Sequence, residues 1–322
     1  METRSKRSHI TPKATTGRVG VTDDDKRFLF EPLTRYGYLP TKHLIAIDRR
    51  HHTTTRARLK KYFQETEKWP LRNKPIIRHT DALRYSINAQ AHYYRGPAAF
   101  RDLNTSLQHQ KWIEATTIGP RFNDHDVLLS CSIADIEIAT KKAGLRFISH
   151  LEILKGASEK AQKAENPFEI PVGPIAWNFK SGRRTIPKTT LIPDAIFGIE
   201  YPEGIRFYAA EFDRGNETYI PTHSLDDTSW LRKMLCYQAI KPTINEYLGI
   251  PKLYVVAAMR TQLKAKNLLA AIAKVYPSGT DMFAVGLAKE IGAFSRIPAP
   301  DNYYFTMDWQ RVNNPSINLS RV

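Results

Sequence analysis

Cysteine and long apolar runs are both scarce in this sequence. Its two cysteines, Cys131 and Cys236, lie in apolar stretches of helical character and lack the CxxC or Cys/His spacing of a zinc site, and no pattern indicates a disulfide. No apolar run approaches the ~20 residues that a membrane-spanning helix requires, and the charged segment Met1–Ser8 is not followed by the apolar part of a signal peptide. We therefore expect a cytoplasmic protein with no membrane contact and no structural zinc.

Two common catalytic signatures are also missing. The chain has no glycine-rich phosphate-binding loop, and no Ser/His/Asp arrangement occurs in a recognisable context. Neither His150 nor His223 has a partner motif nearby in the sequence. These gaps argue against a P-loop nucleotidase and a serine hydrolase, so any catalytic function must come from another set of side chains.

Acidic residues are too few to balance the basic ones. The chain has 48 Lys and Arg against 32 Asp and Glu, which gives a net charge of +16 at pH 7. Ten basic residues and two acids fall between positions 49 and 78, and five basic residues and one acid fall in the first 22 positions. Such clustered charge favours a polyanionic partner, first of all double-stranded DNA. The alternative is a solvated basic face that has no partner.

The first quarter of the chain predicts a basic arm and a winged helix-turn-helix domain. Residues 1–22 are polar and without periodicity, which predicts a disordered arm. Three helices and then two short strands are predicted, at 23–36, 38–47, 53–63, 69–78 and 83–87. This order makes residues 23–95 a winged-helix domain, unless they form a small helical domain whose basic residues only keep it soluble. The side chains expected to contact DNA are Thr54, Thr55, Arg56, Arg58, Lys60, Lys61, Arg72, Lys74 and Arg78.

A predicted β-hairpin carries the most informative group of acids. Two apolar strands, Leu191–Ile199 and Ile205–Asp213, flank a turn that contains proline and glycine. Antiparallel pairing places Asp194, near the start of the first strand, beside Glu211 and Asp213 at the end of the second. Like charges this close are costly without a cation, so the cluster predicts a divalent metal site with Mg²⁺ or Mn²⁺ as the ion.

The elements around the hairpin complete a regular order. A helix and a strand precede it, and a helix and a strand follow it, at 123–142, 145–151, 229–240 and 253–259. A further helix at 262–276 and a strand at 282–285 come next. We expect an α/β fold, α+β overall, with a mixed central sheet in a domain at 123–290. A connector at 96–122 precedes this domain, and a tail at 291–322 follows it.

This α-β-β-β-α-β order resembles the PD-(D/E)XK, or restriction-endonuclease-like, fold. Pro193-Asp194 matches the PD of that fold, and Glu211 matches its second acid. More closely, residues 24–259 are similar to the plasmid replication-relaxation family, which is related to MobC-type relaxases. That likeness rests on Gly37–Lys42, Pro193-Asp194-Ala195, Glu211–Gly215, Lys233 and Tyr237.

The resemblance implies both a function and a set of site residues. It implies that Asp194 and Glu211 bind Mg²⁺ or Mn²⁺ and that the protein nicks or cleaves DNA of a mobile element at a site selected by the winged helix. Other replication or mobilisation proteins, and a second copy of the chain as a homodimer, are further candidate partners. The fold normally has a lysine two residues after the second acid, where this chain has Asp213.

Lys233 is the candidate replacement for that lysine. It stands four residues before Tyr237 on one face of a predicted helix, from which it could reach the acids, although a solvated helix residue is the alternative. Arg214 is also near, but its guanidinium stays protonated and cannot act as a base. The predicted catalytic set is Asp194, Glu211, Asp213 and Lys233.

The sequence leaves two other functions open. One is a DNA-binding replication initiator or transcriptional regulator whose nuclease-like domain is an inactive scaffold, and Asp213 in the place of lysine is its main support. Asp194 and Glu211 would then only cap strand ends. The other is a relaxase-like transesterase with Tyr237 as its nucleophile.

Overall fold

The computed structural model of this chain describes residues 22–36, 38–48, 53–55, 57–58, 77–79, 92–95, 124–213, 217–289 and 297–321. The chain divides into two compact units, Met1–Ala134 with Ile291–Pro300 and Asp135–Glu290 with Asp301–Val322. The predicted arm, apart from Thr22, and the predicted connector at 96–122 lie outside the described residues. None of the described helices is both long enough and apolar enough to cross a lipid bilayer.

The first unit begins with a continuous helical run. Its segments are α1 (Asp23–Asp25), a π-helical turn (Lys26–Phe30) and α2 (Glu31–Tyr36). Thr22 starts the run with a capping box. Its hydroxyl accepts a hydrogen bond from the backbone N–H of Asp25 at 3.2 Å, and Asp25 Oδ2 accepts one from the backbone N–H of Thr22 at 3.1 Å. The helix predicted at 23–36 therefore agrees with the structure.

The next part of the first unit differs from the prediction. A strand, β1 (Tyr38–Pro40), and a helix, α3 (Thr41–Ile47), occupy the stretch predicted as a single helix. Pro40 has no backbone N–H and an extended ψ of 154°, so the helix begins only after it.

A small antiparallel sheet also belongs to the first unit. β1 pairs with β3 (His92–Arg95), which also pairs with β2 (Ile77–His79). The strand predicted at 69–78 overlaps β2 only at its end, and the strand predicted at 83–87 lies outside the described residues. In the predicted third helix, the described residues 53–55, 57 and 58 are helical.

The second unit is built on a mixed sheet with interleaved helices. From residue 124 onward the elements are α4 (Asp124–Lys142), β4 (Arg146–Ile148), α5 (His150–Gly156), α6 (Glu159–Lys163), β5 (Ile170–Val172), β6 (Ile175–Phe179), β7 (Gly182–Ile186), β8 (Thr189–Leu191), β9 (Ala195–Tyr201), β10 (Gly204–Asp213), α7 (Trp230–Ile240), α8 (Ile244–Leu248), β11 (Leu253–Met259), α9 (Gln262–Val275), β12 (Phe283–Leu287) and α10 (Tyr303–Thr306).

The central sheet has five strands in the order β12-β11-β10-β9-β4. The β4–β9 and β9–β10 pairs are antiparallel, whereas the β10–β11 and β11–β12 pairs are parallel. β11 is buried at six of its seven positions, as expected for a strand covered on both faces. The expectation of an α/β chain with a mixed central sheet is therefore confirmed.

Local capping explains one correction in this unit. The strand predicted at 145–151 ends at Ile148, because Ser149 starts α5 by accepting a hydrogen bond from the backbone N–H of Glu152 at 3.3 Å. Between α5 and the central hairpin the chain adds α6 and two small strand pairs, β5 with β8 and β6 with β7. These pairs occupy the stretch that the sequence shows only as rich in Lys, Pro and Gly.

The segment after Pro300 packs against the sheet edge. Gln310 forms a β-bridge with Val285 of β12, and Trp309 forms another with Ile317. Trp309 is 1% exposed, and its indole N–H donates to the carbonyl oxygen of Tyr304 at 3.2 Å. Residues 301–321 therefore share the core of the second unit, although their sequence has little periodicity.

Candidate functional site

The central hairpin brings two of the predicted acids to one end of the sheet. β9 and β10 pair so that Ala195 lies opposite Ala210, which places Asp194 beside Glu211 at the next position. Gly204, with φ of +133°, forms the turn at the far end. Asp194 Oδ2 accepts a hydrogen bond from the backbone N–H of Phe212 at 2.8 Å, so the start of β9 is tied to the end of β10.

Glu211 is the centre of the site. Its side chain is 1% exposed, and α7 supplies donors to both of its carboxylate oxygens. Lys233 Nζ donates to Oε2 at 2.9 Å, and the hydroxyl of Tyr237 donates to Oε1 at 2.5 Å. Because these two residues are four apart on one helix, a single helix face covers the carboxylate.

The start of α7 is set by a local signal. The hydroxyl of Ser229 accepts a hydrogen bond from the backbone N–H of Arg232 at 3.2 Å, which caps the helix one residue before Trp230. The predicted helix at 229–240 therefore agrees with the structure to within one residue. This start places Lys233 one turn into the helix, over Glu211.

Lys233 contacts a third acid that the sequence analysis missed. Its ammonium group lies 2.8 Å from Glu217 Oε1 and 5.1 Å from the ring centroid of Trp230. Glu217 lies in the irregular segment between β10 and α7, where no periodicity places its side chain. The only sequence signal was the presence of an acid between the strand and the helix that carry the other site residues.

Burial and charge shift the proton affinities of these groups. Burial first, and then the negative charge of Asp194, raise the pKa of Glu211 to about 7. Burial lowers the pKa of Lys233, but Glu211, Glu217 and Asp194 together outweigh it and raise that pKa. Burial and the neighbouring Glu211 raise the pKa of Tyr237 well above its ordinary value. Lys233 is therefore a permanent cation at neutral pH.

Asp213 is hydrogen-bonded to an aromatic residue at the start of α7. It is 9% exposed, and its Oδ2 accepts a hydrogen bond from the indole N–H of Trp230 at 2.7 Å. Asp213 thus occupies the position expected for a lysine but contacts the start of α7. Arg214, the other cation considered from the sequence, lies outside the described residues.

A metal ion would have two oxygen ligands here. Among the described residues, no group of three or more His, Cys, Asp or Glu side chains is arranged to hold a metal. Mg²⁺, however, is commonly bound by one or two carboxylates together with substrate phosphates. The pKa of Glu211, raised by burial, also indicates a carboxylate that would gain from added positive charge. If an ion bound here, Asp194 and Glu211 would be its protein ligands, and a substrate phosphate would supply further oxygens.

Tyr237 is poorly placed to act as a nucleophile. Its side chain is fully buried, and its hydroxyl donates to Glu211. The raised pKa of this hydroxyl keeps it protonated. These contacts support a role in orienting Glu211.

The residues of the first unit that were expected to contact DNA differ in their exposure and in their contacts. Thr54 is exposed, whereas Thr55 is buried and donates to Asp48 Oδ2 at 2.8 Å. Arg58 forms an ion pair with the buried Asp25. Arg78 lies in β2, opposite Tyr94 of β3. Outside the described residues are Arg56, Lys60, Lys61, Arg72 and Lys74.

Comparisons with known proteins do not assign the chain to a family. No protein-family model, curated protein or solved structure matches the chain. The function is therefore inferred from the chemistry of the residues around Glu211 and from the distribution of charge.

Proposed function

We propose that this chain is a DNA endonuclease or nickase that hydrolyses a phosphodiester bond with the help of Mg²⁺ or Mn²⁺. The observation that carries the proposal is the convergence of Asp194, Glu211 and Lys233 at one end of the β9–β10 hairpin. Two carboxylates can hold a divalent ion, and a protonated lysine can stabilise the negative charge that develops on the scissile phosphate. The sequence resemblance to PD-(D/E)XK nucleases and to the plasmid replication-relaxation family supports the same activity.

In this proposal, Asp194 and Glu211 bind the ion and Lys233 acts on the scissile phosphate. A bound Mg²⁺ supplies a Lewis acid that polarises the phosphate and lowers the pKa of the attacking water. Lys233 stays protonated because three carboxylates surround it, so it stabilises the negative charge that develops on the phosphate and does not act as a base. Glu217 would be a positioning residue, because its Oε1 lies 2.8 Å from the ammonium group of Lys233 and helps to hold it in place.

An exposed basic hairpin supports DNA as the substrate. β6 and β7 form a two-stranded pair, and the segment 180–188 carries four basic residues and no acid: Lys180, Arg183, Arg184 and Lys188. All four are exposed. Phe179 at the base of this hairpin packs with Leu231 of α7, the helix that carries Lys233. The hairpin would follow the phosphate backbone beside the proposed site.

The decisive experiment is nicking of supercoiled plasmid in Mg²⁺ or Mn²⁺. Asp194→Asn and Lys233→Met should each lower the nicking rate at least 100-fold, because they remove a metal ligand and the phosphate-stabilising cation. Asp226→Asn is the matched control, since this exposed acid lies outside the site, and it should keep the wild-type rate. Equal rates for Asp194→Asn and the wild type would exclude the proposed metal site.

The hydrogen bonding of Glu211 favours a second function. Both of its oxygens already accept hydrogen bonds, and Asp213 stands in place of the usual lysine. A DNA-binding replication initiator or transcriptional regulator with an inactive nuclease-like scaffold fits this arrangement. It predicts that fluorescence anisotropy detects the same DNA affinity with Mg²⁺ and with EDTA, that Asp194→Asn does not change it, and that no variant or wild type nicks plasmid.

A further inference from the structure

A cavity lies at the opposite end of the central sheet from Glu211. It has a volume of about 370 Å³ and opens where β10 and β11 begin, with the segment after Asp308 as its other wall. Arg206 lies five residues before Glu211 on β10, which at about 3.4 Å per residue separates the two by roughly 17 Å. This cavity, named here the arginine cavity, is therefore a distinct site.

Unbalanced positive charge is the main chemical feature of the arginine cavity. Three arginines line it, Arg206, Arg311 and Arg321, and none of them forms an ion pair with a carboxylate within the described part of the chain. Lys252 also lines it, but its ammonium group is 2.6 Å from Asp281 Oδ2. Among the described residues that line the cavity, Asp308 is the one remaining carboxylate, and its Oδ1 accepts a hydrogen bond from the side-chain amide of Asn318 at 3.4 Å. Such a concave site attracts an anion.

Arg206 lies beside two aromatic rings at the wall of the cavity. Its guanidinium carbon lies 5.8 Å from the ring centroid of Tyr201 and 6.0 Å from that of Tyr254. Stacking on aromatic rings restrains a planar guanidinium while its N–H groups remain able to bind two oxygens of one phosphate. A side chain that is restrained before binding loses less conformational entropy when the ligand binds.

The opposite wall is also tied to the sheet. The hydroxyl of Tyr201 donates to the carbonyl oxygen of Leu319 at 2.8 Å, which joins β9 to the last described residues. The Nε–H of Arg311 donates to the carbonyl oxygen of Pro315 at 2.6 Å, which leaves its terminal nitrogens for another partner. One arginine from β10 and two from the segment after Asp308 thus line one space large enough for a small ligand.

We propose that the arginine cavity binds a phosphate monoester, the terminal phosphate of a nucleotide or of a DNA strand. A monoester dianion carries more charge than a phosphodiester and offers several oxygens to forked guanidinium groups. The proposal does not depend on catalysis at Asp194 and Glu211.

Calorimetric titration of the full-length chain in EDTA tests this site without a contribution from bound metal. Thymidine 5′-monophosphate should bind, and thymidine should bind at least 10-fold more weakly. Arg206→Gln and Arg321→Gln should each weaken nucleotide binding at least 10-fold, while Lys266→Gln, a loss of equal charge on the exposed face of α9, should change it less than 2-fold. Arg321 is exposed, so its variant should fold even if the Arg206 variant does not.

Asp308→Asn provides a readout that loss of folding cannot imitate. Removing the negative charge of Asp308 should tighten binding of the nucleotide several-fold, because it removes a repulsion. Trithymidylate with and without a 5′-phosphate should be compared with thymidine 5′-monophosphate to separate the two ligand sources. If the 5′-phosphorylated trimer binds more tightly than the mononucleotide, the site binds a DNA end. If the mononucleotide binds more tightly, the site binds a free nucleotide. Equal binding of thymidine and its monophosphate, or wild-type affinity in Arg321→Gln, would overturn the proposal.

Discussion

Lys233 Nζ lies 2.9 Å from Glu211 Oε2 and 2.8 Å from Glu217 Oε1, so one ammonium group joins a strand glutamate to a glutamate of the following loop. Asp213, two residues after Glu211 on β10, accepts a hydrogen bond from the indole N–H of Trp230 and not from Lys233 Nζ. The cation that contacts the strand glutamate therefore comes from the neighbouring helix, α7.

Glu211→Gln should flatten the dependence of stability on pH. Because the pKa of Glu211 is raised from 4.5 to about 7 in the folded chain, the folded state holds a proton that the unfolded state releases. This contribution is complete below about pH 4.5 and is lost as the pH rises through 7, with a span on the order of 3 kcal/mol. The variant lacks the titrating group, so it should gain stability relative to the wild type between pH 5 and 8.

Urea unfolding at four values of pH from 5 to 8 measures this difference. Glu203→Gln, in the exposed turn between β9 and β10, is the control and should follow the wild-type curve. A constant offset between Glu211→Gln and the wild type across this range would mean that Glu211 is ionised throughout it.

Two buried tryptophans allow the hydrogen bond to Asp213 to be measured. Trp230 donates to the carboxylate of Asp213 at 2.7 Å, whereas Trp309 donates to the backbone carbonyl of Tyr304 at 3.2 Å. Both side chains are at most 1% exposed, so replacement by Phe removes a similar volume and one N–H donor from each site. Bonds to charged acceptors are the stronger ones, so Trp230→Phe should lose roughly 1–2 kcal/mol more unfolding free energy than Trp309→Phe. Chemical unfolding at pH 7 checks this, and equal losses would contradict it.

The parts of this site that follow from local sequence were predictable. Alternating apolar residues and a Pro/Gly turn predict the hairpin, and antiparallel pairing then brings Asp194 beside Glu211. The spacing of Lys233 and Tyr237 predicts a shared helix face, and the structure places both on Glu211. These features depend on periods of two and of three to four residues, which a sequence displays directly.

Other parts depend on contacts between distant segments, which no local period encodes. Glu217 lies in an irregular loop, and its contact with Lys233 exists only once α7 packs on β10. Arg206 and Arg311 meet at one cavity although they are far apart in sequence. The capping hydroxyl of Ser149 decides where β4 ends, although the sequence predicts a strand that continues to Leu151. Tertiary packing and capping thus override the strand pattern here.

Gly286→Ala should show how firmly the last segment packs on β12. A methyl group at Gly286 would overlap Cε of Met307 and lie 2.9 Å from Cε3 of Trp309, which is buried. Such overpacking costs about 1–3 kcal/mol. Gly173→Ala is the matched control, because a methyl group there has nothing within 4 Å and should change stability by less than about 0.5 kcal/mol. Thermal unfolding compares the pair, and a Gly286→Ala variant as stable as the control would show that the segment shifts freely.

The arginines of the β6–β7 hairpin should contribute to DNA binding through charge alone. Arg183 and Arg184 are both exposed on β7, opposite Asn178 and Trp177 of β6. Each phosphate contact contributes about 0.9 to the slope of log affinity against log salt concentration. Arg183→Gln combined with Arg184→Gln should therefore weaken binding to a DNA duplex and make this slope shallower by about 1–2.

Fluorescence anisotropy from 50 to 200 mM salt in EDTA measures this slope without any metal-dependent step. Lys266→Gln combined with Lys274→Gln removes the same charge from the exposed face of α9 and controls for a general loss of positive charge. If both double variants weaken binding equally and leave the same slope, the effect comes from net charge at long range. A change confined to the hairpin variant instead assigns its phosphate contacts to Arg183 and Arg184. Because such contacts position the backbone without reading the bases, the loss should be the same for duplexes of unrelated sequence.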